Sequence, residues 1–564
     1  MALSGTRGPR VVGVALGALA VLTSLLVAPA GAAPAEPADR SAAPPDPAAS
    51  GVADRLARPL DWGPCDADAL APVPEADRAL YSCADQLVPL DHDRPRGERI
   101  SIALMRRAAE DPGRRIGSLV VNPGGPGSPG RLLAATIADR VDDRVLDAFD
   151  IVGFDPRGVG GSTRIECFTD ASDAIDVFAG QLAIPITDEE VAGTLNAFAR
   201  YGDFCARNAG PLLAHMATRD VAHDLEWLRA GLGERRLNYL GQSYGTLLGA
   251  TYANLYPHRV RAMVFDSAVD PQLRTNDGLQ QDRERAAGFE ASLDAFLAEC
   301  QQVGDACAFG TGDPRAKFAE LRDHLRQQPI RLPDGTELDI NSFTTGAAYG
   351  LFFSAALPGL AAEFQAAYDV LHPPADPPAP TAADFPLLRA GGQAAGFTGA
   401  DGVDGTDGAA GAVEENPYRD YDPHFAVNCS DKPYAHEQRD VPGIVAEWET
   451  ESPTFARFQA FAEEAACPVW PAASPDRYSG PWDRETRHPV LVLGGLHDPA
   501  TPYAFSRRMT EQLGNARLLT MDGYGHGLLG LSTEADAAIA DYLIRLRVPA
   551  PGTVVEPDLP LFPG

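Results

Sequence analysis

The chain has 564 residues, 45% of them hydrophobic and 22% charged, with a formal net charge of −31 at pH 7. That length supplies more apolar material than one domain normally needs. So acidic a surface excludes nucleic acid and an anionic membrane face as partners. At the N-terminus, Arg7 and Arg10 precede the mostly apolar, uncharged run Val11 to Val27, and "APAGAAPA" then offers small residues for signal peptidase, with cleavage after Ala32 or Ala33. Residues 1–33 are therefore expected to be a signal peptide. The mature protein is expected to be secreted to the extracellular space and not held by a membrane. The Pro-, Ala- and Asp-rich segment 34–60 reads as a flexible leader or propeptide.

Near residue 98 the pattern changes to strands. "RISIALMRR", "GSLVVNPGGPG" and "FDIVGFDPRGVGGS" each carry a short apolar run of strand type. Residues 218–231 predict a helix, with Thr218 as N-cap, an apolar stripe of Val221, Leu225 and Leu228, and Gly231 as the stop. The strand "RLNYLG", a further helix and the strand "VRAMVFDSAVDP" follow. Buried strands alternating with helices indicate an α/β architecture, a mostly parallel sheet covered on both faces. This N-terminal part of the core is expected to run over 61–271.

After Pro271 the strand rhythm stops. Residues 278–330 and 343–371 have helical periodicity, and 373–417 are loose and rich in Gly, Pro and Asp. The sheet is therefore expected to be interrupted by a large insertion. The GDG-like repeats within it do not match a calcium loop, and no metal or cofactor is expected. The core resumes over 481–548 with "HPVLVLGGLHDPATP", a helix, "ARLLTMDGYGHG" and a last helix, leaving a tail at 549–564. Eight cysteines in an even count fit an oxidising compartment. The simplest pairing joins neighbours: Cys65 with Cys83, Cys167 with Cys205, Cys300 with Cys307, and Cys429 with Cys467.

Chemistry concentrates at "GQSYG", where Ser243 stands between Gly241 and Gly245 at a strand-to-helix junction. The flanking glycines imply a corner too tight for a neighbouring Cβ, the pattern of a nucleophile elbow. A serine hydroxyl needs a base. His526 lies in the Gly-rich loop after the last strand, and Asp498 follows the strand before it. Ser, Asp, His is the chain order of the α/β-hydrolase fold. Asp266 and Asp522 compete for the acid's place, and Asp498 is preferred because one helix and one strand separate it from His526. His497 is expected to point elsewhere. For the oxyanion, the Tyr244 N–H at the helix start is one donor and the Gly125 N–H in "NPGGPG" the other.

The set "NPGGPG", "FDPRGVGGS", "GQSYGT", "LHDPATP" and "GYGHG" resembles the secreted tripeptidyl aminopeptidases of actinomycetes, α/β-hydrolase serine peptidases related to the proline iminopeptidases. The resemblance runs from about Trp62 to about Arg547. It implies an acyl-enzyme on Ser243, with His526 as base and Asp498 as acid, peptide substrates with free N-termini, and a mainly helical lid over 272–480. The Gly/Asp-rich segment departs from the family pattern. An exopeptidase must also hold the substrate's α-ammonium; Glu414, Glu415 and Asp431 in the lid are the candidate carboxylates. A secreted carboxylesterase or lipase would use the same triad, as would a proline iminopeptidase. A non-catalytic binding protein would ordinarily have lost a triad member.

Overall fold

A computed structural model of the protein describes residues 47–332, 335–373, 381–393, 421–472, 474 and 476–562. The expected signal peptide lies outside these residues. Among the described residues there are eleven strands: β1 (Tyr81–Pro89), β2 (Arg99–Arg107), β3 (Gly117–Asn122), β4 (Phe149–Phe154), β5 (Leu237–Gln242), β6 (Val260–Asp266), β7 (Ile330–Arg331), β8 (Glu337–Leu338), β9 (Val490–His497), β10 (Ala516–Tyr524) and β11 (Val554–Val555). Nine of them form one sheet in the order β1-β2-β4-β3-β5-β6-β9-β10-β11, while β7 and β8 pair separately. β1 and β2 run antiparallel to their neighbours, and every pairing from β4 to β11 is parallel.

Every residue of β3, β4 and β5 is buried, as a sheet covered on both faces requires. The period-two alternation of β3 splits its side chains. Val120 joins a core with Tyr239, Leu247 and Phe265, whereas Leu119 and Val121 join one with Leu491, Leu519 and Ile539 on the opposite face. Between β6 and β9 lies the helical insertion, which includes helices Gly278–Val303, Ile340–Phe352, Leu357–Leu371 and Tyr421–Asp431. It has an aromatic core of its own, with Phe289, Phe296, Phe343 and Phe364.

Several expectations need correction. Residues 47–56 of the supposed flexible leader form a helix, with Ala53 buried and Asp54 joining Arg229 (2.5 Å) and Arg259. Its composition is that of a linker, but docking against the core decides its structure. Thr218 is the first helical residue and not the cap, which falls on Ala217; the Thr218 hydroxyl is spent on Asp431. Within the segment read as loose, residues 386–393 are helical. The tail contributes β11, whose Val554 and Val555 extend the sheet beside β10. All four expected cysteine couples are bonded.

Candidate active site

β5, β6, β9 and β10 are adjacent and parallel, so the loops leaving their C-terminal ends converge on one edge of the sheet. Ser243 sits between β5 and the helix Tyr244–Leu255 with φ 53° and ψ −126°, a conformation that L-residues rarely adopt. The flanking glycines are explained by close approach. A Cβ on Gly241 would lie 2.5 Å from the Gly245 carbonyl oxygen, and one on Gly245 would lie 2.7 Å from Asn122 Oδ1. The corner is fixed by the Ser243 N–H, which donates to the Asp266 carbonyl (2.9 Å), and by the Tyr239 hydroxyl, which donates to the Gly245 carbonyl (2.7 Å).

Asp498 follows β9 and is buried. Both of its carboxylate oxygens lie 3.0 Å from His526 Nδ1. The Ala500 N–H (3.0 Å), the Thr501 N–H (2.9 Å) and the Thr501 hydroxyl (2.8 Å) also donate to it. His526 itself follows β10, donates its backbone N–H to the Phe352 carbonyl of the insertion (2.7 Å), and sets its ring edge-on to Phe352. Ser243 and His526 line one cavity of about 240 Å³ together with Gly125, Arg140, Gln242 and Phe353.

The competing carboxylates have other surroundings. Asp266 is fully buried and accepts from Gln242 Nε2 (2.8 Å) and from the Leu528 and Leu529 N–H groups, tying the serine strand to the histidine loop. Burial raises its pKa, against the pull of those donors. Asp522 is exposed on β10. His497 stacks on Tyr524 at 4.4 Å, and burial lowers its pKa.

Gly124, Gly125 and Gly127 have φ between +97° and +103°. A Cβ on Gly124 would fall 2.9 Å from both Ser243 Cβ and Tyr244 N, so only glycine lets this loop pass over the elbow. The Gly124 N–H is engaged by Asn122 Oδ1 (3.1 Å), whereas the N–H groups of Gly125 and Tyr244 have no acceptor among the described residues. Two free donors beside one serine can stabilise an oxyanion.

Of the three candidate carboxylates for a substrate ammonium, Glu414 and Glu415 lie outside the described residues. Asp431 is buried and accepts from the Thr218 N–H (2.8 Å) and hydroxyl (2.6 Å), and that hydroxyl also bonds the Tyr244 phenol. Burial raises the Asp431 pKa. It is not among the residues lining the cavity. Sequence reasoning passed over Thr501, Arg140 and His424. Thr501 alone carried a signal, being the first hydroxyl after Asp498 in "HDPAT". The other two come from segments remote in the chain.

A model of the alpha/beta hydrolase fold matches residues 117–310, and a model described as TAP-like protein matches residues 452–555. The serine protease Hip1 of Mycobacterium tuberculosis is 31% identical over 498 residues, covering 87% of this chain and 88% of the relative. The chain belongs to the TAP-like branch of the α/β hydrolases. The tripeptidyl aminopeptidase of Streptomyces lividans is 30% identical over 88% of this chain and 87% of its own length. The carboxylesterase B of M. tuberculosis is 30% identical over 83% of this chain and 85% of its own. Membership makes the protein a hydrolase. No described helix is long and apolar enough to cross a membrane.

Proposed function

We propose that the protein is an exported serine exopeptidase of the tripeptidyl aminopeptidase type, acting through Ser243, His526 and Asp498. The observation carrying this reading is the pair of 3.0 Å contacts from His526 Nδ1 to Asp498, made by a histidine that shares its cavity with Ser243. Asp498 holds the Nδ1–H tautomer and stabilises the imidazolium, leaving Nε2 to take the Ser243 proton. Ser243 Oγ then attacks the scissile carbonyl, and the Tyr244 and Gly125 N–H groups receive the oxyanion. His526 passes the proton to the departing amine, and water releases the acyl group by the same steps in reverse roles.

The full set of disulfides supports export, since such bonds persist in oxidising compartments. The signal-like N-terminal 33 residues agree with it. Preference for peptides rests on the relatives named as serine protease and tripeptidyl aminopeptidase. A second reading, a carboxylesterase, is favoured by the relative of that name and by the apolar walls of the cavity at Phe352, Phe353, Leu529 and Leu531.

One experiment separates them. A tripeptide anilide with a free N-terminus, its N-acetyl form and a matched short acyl ester are compared on purified protein. The exopeptidase reading expects hydrolysis of the free anilide and a loss of kcat/KM on the order of a hundredfold on acetylation, the worth of one buried charged hydrogen bond. Equal rates on the two anilides, or hydrolysis of the ester alone, would overturn it.

A further inference from the structure

Charge in the catalytic cavity is one-sided. Among the described residues that line it, Arg140 and His526 are the ionisable side chains of basic type, and there is no Asp or Glu. Arg140 makes no ion pair among the described residues, in a chain whose net charge is −31. Its nearest polar contact is a long one, from Nη2 to Gln242 Oε1 at 3.4 Å. The Gln242 amide is itself oriented by Asp266, which accepts from Nε2 at 2.8 Å. Asp266 feels the Arg140 charge but stands behind Gln242 and is already saturated by the Leu528 and Leu529 N–H groups.

The course of the side chain gives the cation a direction. Arg140 Cα, Cβ and Cγ pack within 3.5 Å of where a Cβ of Gly530 would stand, and Nη2 lies 3.9 Å from the corresponding point at Gly527. The stem therefore runs along the loop after His526, and the guanidinium ends beside the residue that directly follows the base. An arginine is always charged and carries five donors in a planar fork suited to a carboxylate.

Given the peptidase reading, on which this inference rests, the side of the cavity follows from proton bookkeeping. His526 delivers its proton to the departing amine, so the departing portion of the substrate must lie on the His526 side of Ser243. We infer that Arg140 is a specificity residue that binds a carboxylate on the departing portion, at the first residue beyond the scissile bond. That carboxylate has two sources: an acidic side chain at this position, or the C-terminus when a single residue departs.

The test uses four peptides sharing an Ala-Ala-Ala acyl portion and ending in Ala with a free carboxylate, Ala-amide, Asp-amide or Asn-amide. Each enzyme is scored by its ratios of kcat/KM, free acid to amide and Asp to Asn. In the wild type at least one ratio should be on the order of tenfold or more, as a charged hydrogen bond allows, and which one rises identifies the source. Arg140→Gln should bring that ratio to about one, Arg140→Lys should restore part of it, and Arg140→Glu should invert it. Wild-type ratios of about one, or ratios unmoved by Arg140→Gln, would overturn the assignment while leaving the peptidase reading intact. If Arg140→Gln fails to fold, the wild-type ratios with Arg140→Lys decide. Failure to cleave any of the four peptides, with ester hydrolysis retained, would instead remove the peptidase reading beneath it.

Discussion

Ser243 combines a strained backbone with the chemistry assigned to it, and the two can be separated. Ser243→Ala should fold and lose activity by several orders of magnitude on peptide and ester alike, because covalent catalysis is gone. Near-normal turnover would reject the nucleophile. Ser243→Gly should be equally inactive yet more stable than the alanine variant by about 1 kcal/mol, since glycine reaches φ 53° without a Cβ clash. Thermal melts of the two variants check this. Asp498→Asn keeps its size but reverses a hydrogen bond to His526 Nδ1; kcat should fall by about 10⁴-fold with little change in the melt.

At the scale of elements, the helix Tyr421–Asp431 links the insertion to both expected oxyanion donors. Asn428 Oδ1 accepts from the Arg274 guanidinium, which can only donate, so the Asn428 amide turns its Nδ2 to His424 Nε2 (3.0 Å). His424 Nε2 must then accept, and Nδ1–H donates to the Pro126 carbonyl (3.2 Å), one residue past Gly125. Arg274 also lies over the Tyr244 ring. Replacing His424 by Phe should lower kcat about tenfold or more with KM little changed, because the loop donor is loosened and not removed; a fall in affinity for a boronate analogue should track it. Burial depresses the His424 pKa to about 4. A histidine lowered in the fold contributes stability that is complete above its unfolded pKa near 6.5 and is lost as pH falls towards 4. The stability of the Phe variant should therefore depend less on pH across that window than the wild type's. None of this helix was legible in the sequence. "YDPHFAVNCSD" shows no apolar stripe, since residues 422–431 are buried on every side and their polar groups find partners on distant elements. The sheet from β2 to β10 was legible because its strands contain short apolar runs, whereas β1 is too polar and β11 too short to show one. Ser243, Asp498 and His526 could be singled out in the sequence because each follows a short apolar run. Asp431 attracted notice as a carboxylate for a substrate's ammonium, and its partner Thr218, 213 positions away, could not be read from the sequence.

For the whole molecule, the four disulfides tie only near neighbours in sequence, with separations of 7 to 38 residues. Each should contribute about 2–4 kcal/mol by restricting the unfolded chain, with Cys300–Cys307 contributing least. Non-reducing peptide maps should show no free thiol, and reduction should lower the melting temperature. Long-range cohesion of the insertion comes from elsewhere. Lys432 binds Asp282 (2.8 and 2.9 Å) and Glu463, with Arg285 completing the cluster at 3.2 Å from Glu463. Burial would push the Glu463 carboxyl up, but Lys432 and Arg285 hold it well below the usual range. Lys432→Met should cost about 3–5 kcal/mol, since it removes the ammonium from between two buried carboxylates and leaves them to share Arg285; a loss under 1 kcal/mol would contradict the cluster's role. The bond from the His526 N–H to the Phe352 carbonyl gives this cohesion a kinetic meaning. His526, the proposed base, is held by the insertion, so loosening the insertion should displace it while the sheet is still folded. In rising urea, hydrolysis should vanish before the far-ultraviolet signal of the core changes. On refolding, a chain with a finished sheet and an undocked insertion should be catalytically silent, so a half-assembled molecule is a latent enzyme.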